Sequence, residues 1–203
     1  MNPITVSGIA MNMKKGPKSW QAKHLVWLFV GIMVAGSSLG CFSKKSSYQS
    51  IQTCFTPGGQ CAQFVEEALA KAQDTILVQA YAFTSSMIAD ALIAAHTSGV
   101  IVQILMERSQ LTVKKSQIRS VIAKGIPVFI DVVPGIAHNK VMIIDDTYVL
   151  TGSFNWTDAA AYRNAENLVL IRDYDTNQAY RINWEERARE AQAIKLADID
   201  NAA

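Results

Sequence analysis

His138-Asn139-Lys140 opens a stretch that Gly152-Ser153-Phe154-Asn155 closes, and between them lie two short apolar runs around Asp145-Asp146-Thr147. This pattern reads as two brief strands joined by a turn. A histidine and a lysine two apart on a strand project from the same side of a sheet. Ser153 and Asn155 repeat that spacing. A nucleophile, a cation and two neutral hydrogen-bonding groups can then meet at one place without a metal, which makes a phosphoryl-transfer site. The run occurs once, and the chain's other histidines are His24 and His96.

Upstream, strands and helices alternate. Residues 61–73 carry Phe64, Ala68, Leu69 and Ala72 at helical spacing, and 75–83 is an apolar strand. Ser85-Ser86 can cap a helix that ends at Gly99. A strand at 100–106, a helix at 112–124 and a strand at 126–132 follow. That rhythm predicts an α/β/α sandwich whose central sheet is mixed but mainly parallel. After Pro134-Gly135 come shorter strands at 140–144, 148–151 and 167–172, which suggest antiparallel or mixed pairing. A charged helix at 175–193 closes the domain, with Tyr180, Trp184 and Ala188 on one stripe.

Half of the 203 residues are apolar, enough for one good core. The formal charge of +2 misleads. Residues 1–41 hold four lysines and no acid, so the remainder carries 15 basic against 17 acidic residues, a net of −2. Attraction to a polyanion must therefore be local. Arg108, Lys114, Lys115, Arg119 and Lys124 are the one basic concentration, either a solvated helix face or a set of nucleic-acid contacts.

The lysines precede an apolar run over 25–42 that ends in small residues, the pattern of an export signal. Translation starting at Met11 or Met13 would shorten its lead-in. Cleavage after Gly40, lipidation at Cys41 and retention as a membrane anchor are alternative fates. The expected boundaries are a signal or anchor at 1–41, a linker at 42–53, a catalytic domain at 54–196 and a tail at 197–203. The expected location is the periplasm or the periplasmic face of the envelope. Cys54 and Cys61 flank a turn-rich segment and suit a short-loop disulfide in that compartment, with two buried thiols as the alternative. Neither CxxC spacing nor clustered histidines are present, so no metal site is expected.

The run HNKVMIID, DTYVLT and GSFN resembles the signature of the phospholipase D superfamily at every defining position. Glu166, eleven residues after Asn155, matches a carboxylate that the family places beside its histidine. The likeness extends over about 55–184, including QAYAFTS. Length and a single motif resemble the small, exported, chelator-resistant bacterial endonucleases of that superfamily.

The chemistry of the residues fits those roles. A neutral imidazole nitrogen of His138 would attack phosphorus, with Glu166 as the carboxylate orienting the ring. Lys140 would hold a non-bridging oxygen, Ser153 and Asn155 would donate to the same oxygens, and Gly152 would give the backbone room. Asp145, an odd number of positions from His138, is read as a structural carboxylate. Tyr81, Thr84 and Trp156 are candidates for lining the site or for packing beneath it. His96, near a helix end, is read as structural.

In-line displacement also needs an acid for the leaving oxygen. Larger relatives carry the motif twice; one copy here implies a homodimer with His138 from each subunit facing one phosphate. The leading expectation is a non-specific endonuclease acting on DNA, and on RNA as a further candidate, with no cofactor. The alternatives are phospholipid or cardiolipin hydrolysis by the same chemistry, and a non-catalytic envelope or conjugation component. Membrane contact is expected only through a retained N-terminal segment.

Overall fold

The computed structural model describes residues 49–201. The signal segment, Cys41 and most of the 42–53 linker lie outside the described residues.

Strand β2 (Thr75–Ala80) runs up the middle of the sheet because its sequence, TILVQA, offers apolar side chains to both faces. Ile76, Val78 and Ala80 enter one core layer and Leu77 the other, the two-residue period of a strand. Helix α1 (Gln60–Leu69) precedes it, α2 (Ser86–Thr97) follows, and β3 (Ile101–Met106) returns parallel beside β2. A 3-10 turn (Arg108–Leu111) and α3 (Ile118–Ala123) then lead to β4 (Val128–Ile130), again parallel. Beyond β4 the chain turns back through residues 131–139. Strand β5 (Lys140–Ile144) therefore lies antiparallel against the other side of β2. β6 (Tyr148–Gly152), α4 (Asp158–Tyr162), β7 (Asn167–Arg172) and α5 (Tyr174–Glu190) complete that half.

The eight strands stand in the order β1-β7-β6-β5-β2-β3-β4-β8. Only β2–β3 and β3–β4 are parallel, so the sheet is mostly antiparallel, a correction to the mainly parallel expectation. The helix-length crossovers that force parallel pairing span only residues 75–130. The edge strands come from segments not expected to be strands. β1 (Ser50–Phe55) lies largely within the expected linker and pairs with β7. β8 (Gln192–Ile194) and α6 (Leu196–Asp200) occupy the expected end of the last helix and the tail. The helix expected over 112–124 is confined to α3, because residues 112–117 form a turn.

One core layer is covered by α1 to α4 and α6, and the other by α5, through Tyr180, Trp184 and Ala188. The α/β/α layering holds. Trp184 also donates its indole N–H to the Val78 carbonyl at 3.0 Å.

Asp145 sits in the β5–β6 turn with φ 50°. Its carboxylate accepts from the backbone N–H groups of Gln73, Asp74 and Thr75 at 2.8 to 3.0 Å. The carboxylate thereby locks the hairpin turn to the start of β2, at the end of the sheet away from His138. Asp145→Ala should lower unfolding free energy by about 2–3 kcal/mol, the usual scale for charge-assisted hydrogen bonds. Denaturant unfolding measures this, and activity per folded molecule should be unchanged.

Candidate active site

The hairpin chemistry collects at one rim of the sheet. Ala80, at the end of β2, is paired with Lys140, at the start of β5. Gly152, at the end of β6, faces Leu168 near the start of β7. The segments carrying His138, Ser153, Asn155 and Glu166 therefore emerge together from adjacent strand ends.

Lys140 is 7% exposed. It donates to the His138 carbonyl at 2.6 Å and lies 3.1 Å from His138 Nδ1. The Tyr81 ring completes the cluster, with its centroid 4.2 Å from that of His138 and 4.5 Å from the Lys140 ammonium. The Tyr81 backbone N–H donates to the Asn139 carbonyl at 3.0 Å, which ties β2 to the loop carrying the histidine. His138 itself is exposed.

Ser153 and Glu166 form a second unit. The Ser153 hydroxyl donates to Glu166 Oε2 at 2.6 Å and accepts from the Asn167 backbone N–H at 3.1 Å. Asn164 Nδ2 donates to Glu166 Oε1 at 2.9 Å. The carboxylate thus contacts Ser153 and Asn164, whereas the sequence reading had it orienting His138. Its charge does reach Lys140. Burial pushes the Lys140 ammonium below its usual range, and Glu166 pulls it partly back. Gly152 is required here, because a Cβ at that position would stand 2.3 Å from the Asn167 carbonyl oxygen. Asn155 presents a buried Oδ1 with no hydrogen-bond partner among the described residues.

Trp156 is fully buried, packed tilted against Phe154, with its indole N–H donating to the Gln79 carbonyl at 3.2 Å. It packs beneath the site and does not line it. Thr84 contributes a backbone N–H to the Trp156 carbonyl at 2.9 Å. His96 lies at the opposite rim, near the start of β3, with Nδ1 3.4 Å from the Val100 carbonyl. Arg108, Lys114, Lys115 and Arg119 are exposed beyond the end of β3, and Arg119 pairs with Asp200 at 2.6 Å.

Two positioning residues escaped the sequence reading. Glu107 accepts from the Ala137 backbone N–H at 2.7 Å, anchoring the loop that carries His138. Thr56 accepts from the Glu166 backbone N–H at 2.8 Å. The Cys54–Cys61 disulfide closes the loop that contains Thr56. Cys54, Cys61 and the turn-rich segment between them are the local signal for that loop.

A family model described as "Cardiolipin synthase, PLD-like domain" matches residues 65–187. A Rickettsia typhi protein named Phospholipase D is 49% identical over 138 residues, 68% of each chain. The mitochondrial cardiolipin hydrolase of Xenopus tropicalis is 32% identical over 117 residues, 58% of this chain and 56% of that protein. Among solved structures, Nuc of Salmonella typhimurium, a phospholipase D family member, superposes with a TM-score of 0.70 at 33% identity. That match covers 72% of this chain and 99% of the Nuc chain.

Proposed function

The chain belongs to the phospholipase D superfamily and is a phosphodiesterase of that superfamily, and from this we propose that its substrate is a membrane phospholipid, cleaved through a phosphohistidine. The observation that carries the lipid reading is the 49% identity with a phospholipase D over two thirds of both chains. The likeness to a cardiolipin hydrolase adds to it. Chain length and the single motif copy favour nucleic acid; the named relatives favour lipid. Cleavage of DNA or RNA is the second reading, supported by the compact single-motif architecture shared with 99% of Nuc.

His138 attacks phosphorus while Lys140 and the Asn155 amide N–H hold the non-bridging oxygens; Ser153, whose hydroxyl proton goes to Glu166, holds that carboxylate in place. The bond to the leaving alcohol breaks, and its oxygen takes a proton from a second acid. Water then cleaves the phosphorus–nitrogen bond. Among the described residues the rim offers one imidazole, and His96 is at the far rim. A twofold pair of chains supplies the second imidazole as the partner's His138.

The test incubates the full chain in EDTA with cardiolipin vesicles, phosphatidylcholine vesicles and supercoiled plasmid. Lipid turnover that EDTA leaves intact and His138→Ala removes is the expected result. Plasmid nicking without lipid turnover would transfer the function to nucleic acid. Neither activity from a folded protein would leave only the non-catalytic envelope role. A purified monomer with full specific activity would sink the pairing of two chains.

A further inference from the structure

Residues 108–130 contain five cations and no acid, in a chain whose remainder outside the N-terminal segment is net negative. The structure gathers part of that charge into a turn at the catalytic rim. Strands β3 and β4 end there, at Met106 and Ile130, in register with Ala80 of β2. The turn after β3 lines an open cleft of about 350 Å³, with Lys114 and Lys115 on its wall. Arg119, on the same wall, is neutralised by Asp200 of α6. Lys114 and Lys115 make no ion pair among the described residues.

Exposed aliphatic side chains lie in the same turn and in the loop that carries His138. Val113 immediately precedes them at 38% exposure, and Ile136, two residues from His138, is 63% exposed. Glu107 ties the loop that carries His138 to the start of the segment after β3. One carboxylate oxygen accepts from the Ala137 N–H, and the other lies 3.5 Å from the Ser109 N–H. Ammonium groups beside exposed aliphatic side chains suit an anionic bilayer, where lysines meet phosphates and apolar tips enter the headgroup boundary. A nucleic-acid strand would reward the lysines and leave Val113 and Ile136 in water. The charge is complementary to lipid phosphate, and the apolar neighbours select lipid over a soluble polyanion.

We infer that the turn 112–116, with Val113, Lys114 and Lys115 at its tip, is a docking element for an anionic phospholipid surface that sets the catalytic rim against the bilayer. This rests on the lipid reading above. It adds a membrane contact built into the catalytic domain, separate from the apolar run over 25–42. Each lysine at an anionic surface is worth about five-fold in binding.

Hydrogen exchange of the full chain tests the assignment. The backbone N–H groups of Val113, Lys114 and Lys115 have no hydrogen-bond partners among the described residues, so they exchange quickly in the free protein. Vesicles rich in anionic lipid should slow the exchange of 112–116 by about ten-fold or more. Phosphatidylcholine vesicles, which control for attachment through the N-terminal run, should not. The exposed double variant K114E/K115E should lose the protection at an unchanged thermal midpoint. Equal protection by both vesicle types, protection that persists in the variant, or protection by duplex DNA and not by vesicles would each overturn the inference. The readout involves no turnover. Failure of lipid hydrolysis with intact protection would sink the functional reading and leave the docking surface standing.

Discussion

His138→Ala should lower turnover on the order of 10⁵–10⁶-fold, the scale seen when a covalent nucleophile is removed from a preorganised site. The remaining groups can bind and polarise a phosphodiester, but none can form the bond to phosphorus. Lys140 is a buried ammonium, Ser153 spends its proton on Glu166, and Asn155 is a neutral amide. The exposed imidazole makes its aromatic contact with Tyr81, so its loss should leave folding intact. Initial rates on bis(p-nitrophenyl) phosphate read the chemistry without a contribution from any lipid or nucleic-acid surface. A rapidly quenched reaction of the unaltered chain should contain phosphorus bound to protein through an acid-labile bond, and the variant should contain none. Residual activity above about 1% of the original, at equal folding, would exclude His138 as nucleophile, because so small a loss fits a positioning group better.

The second large effect belongs to Lys140. Lys140→Met keeps the length of the side chain and removes the charge that meets the phosphate oxygen, so turnover should fall about 10³-fold. The pH profile carries more information. The ammonium must be charged to act, and burial has pushed its pKa below the usual lysine range while Glu166 raises it. A lowered pKa means that the proton leaves at lower pH. The alkaline limb of kcat should therefore lie below that of an ordinary lysine. Glu166→Gln removes the raising influence and should move that limb to still lower pH. Its amide oxygen can still accept from Ser153, which separates the charge effect from loss of the hydrogen bond. A limb that stayed fixed or moved upward would show that Lys140 does not govern it.

The second half of the chain revealed its chemistry more plainly than its direction. The apolar runs after Lys140 and before Gly152 are strands in the structure, the turn at Asp145 joins them, and Asp145 serves the backbone of residues 73–75. These are short-range facts, set by side-chain alternation and turn geometry. Sheet direction was misread because a strand's sequence carries no mark of its partner's polarity; the chain reversal over 131–139 decides that β5 runs against β2. β1 escaped notice for a related reason. Its residues are mostly exposed on an edge and carry no periodic signal of burial, so only pairing with β7 makes them a strand.

By itself, then, the sequence determined the chemical groups at the rim, the hairpin that presents them and the family to which they belong. It did so because each is encoded by residues a few positions apart. The tertiary structure decided which groups share hydrogen bonds. Glu166 faces Ser153 and Asn164, the Tyr81 ring contacts both His138 and the Lys140 ammonium, and Glu107 holds the loop before His138. Those contacts depend on strand order and register, which arise from simultaneous pairing of segments far apart in the chain.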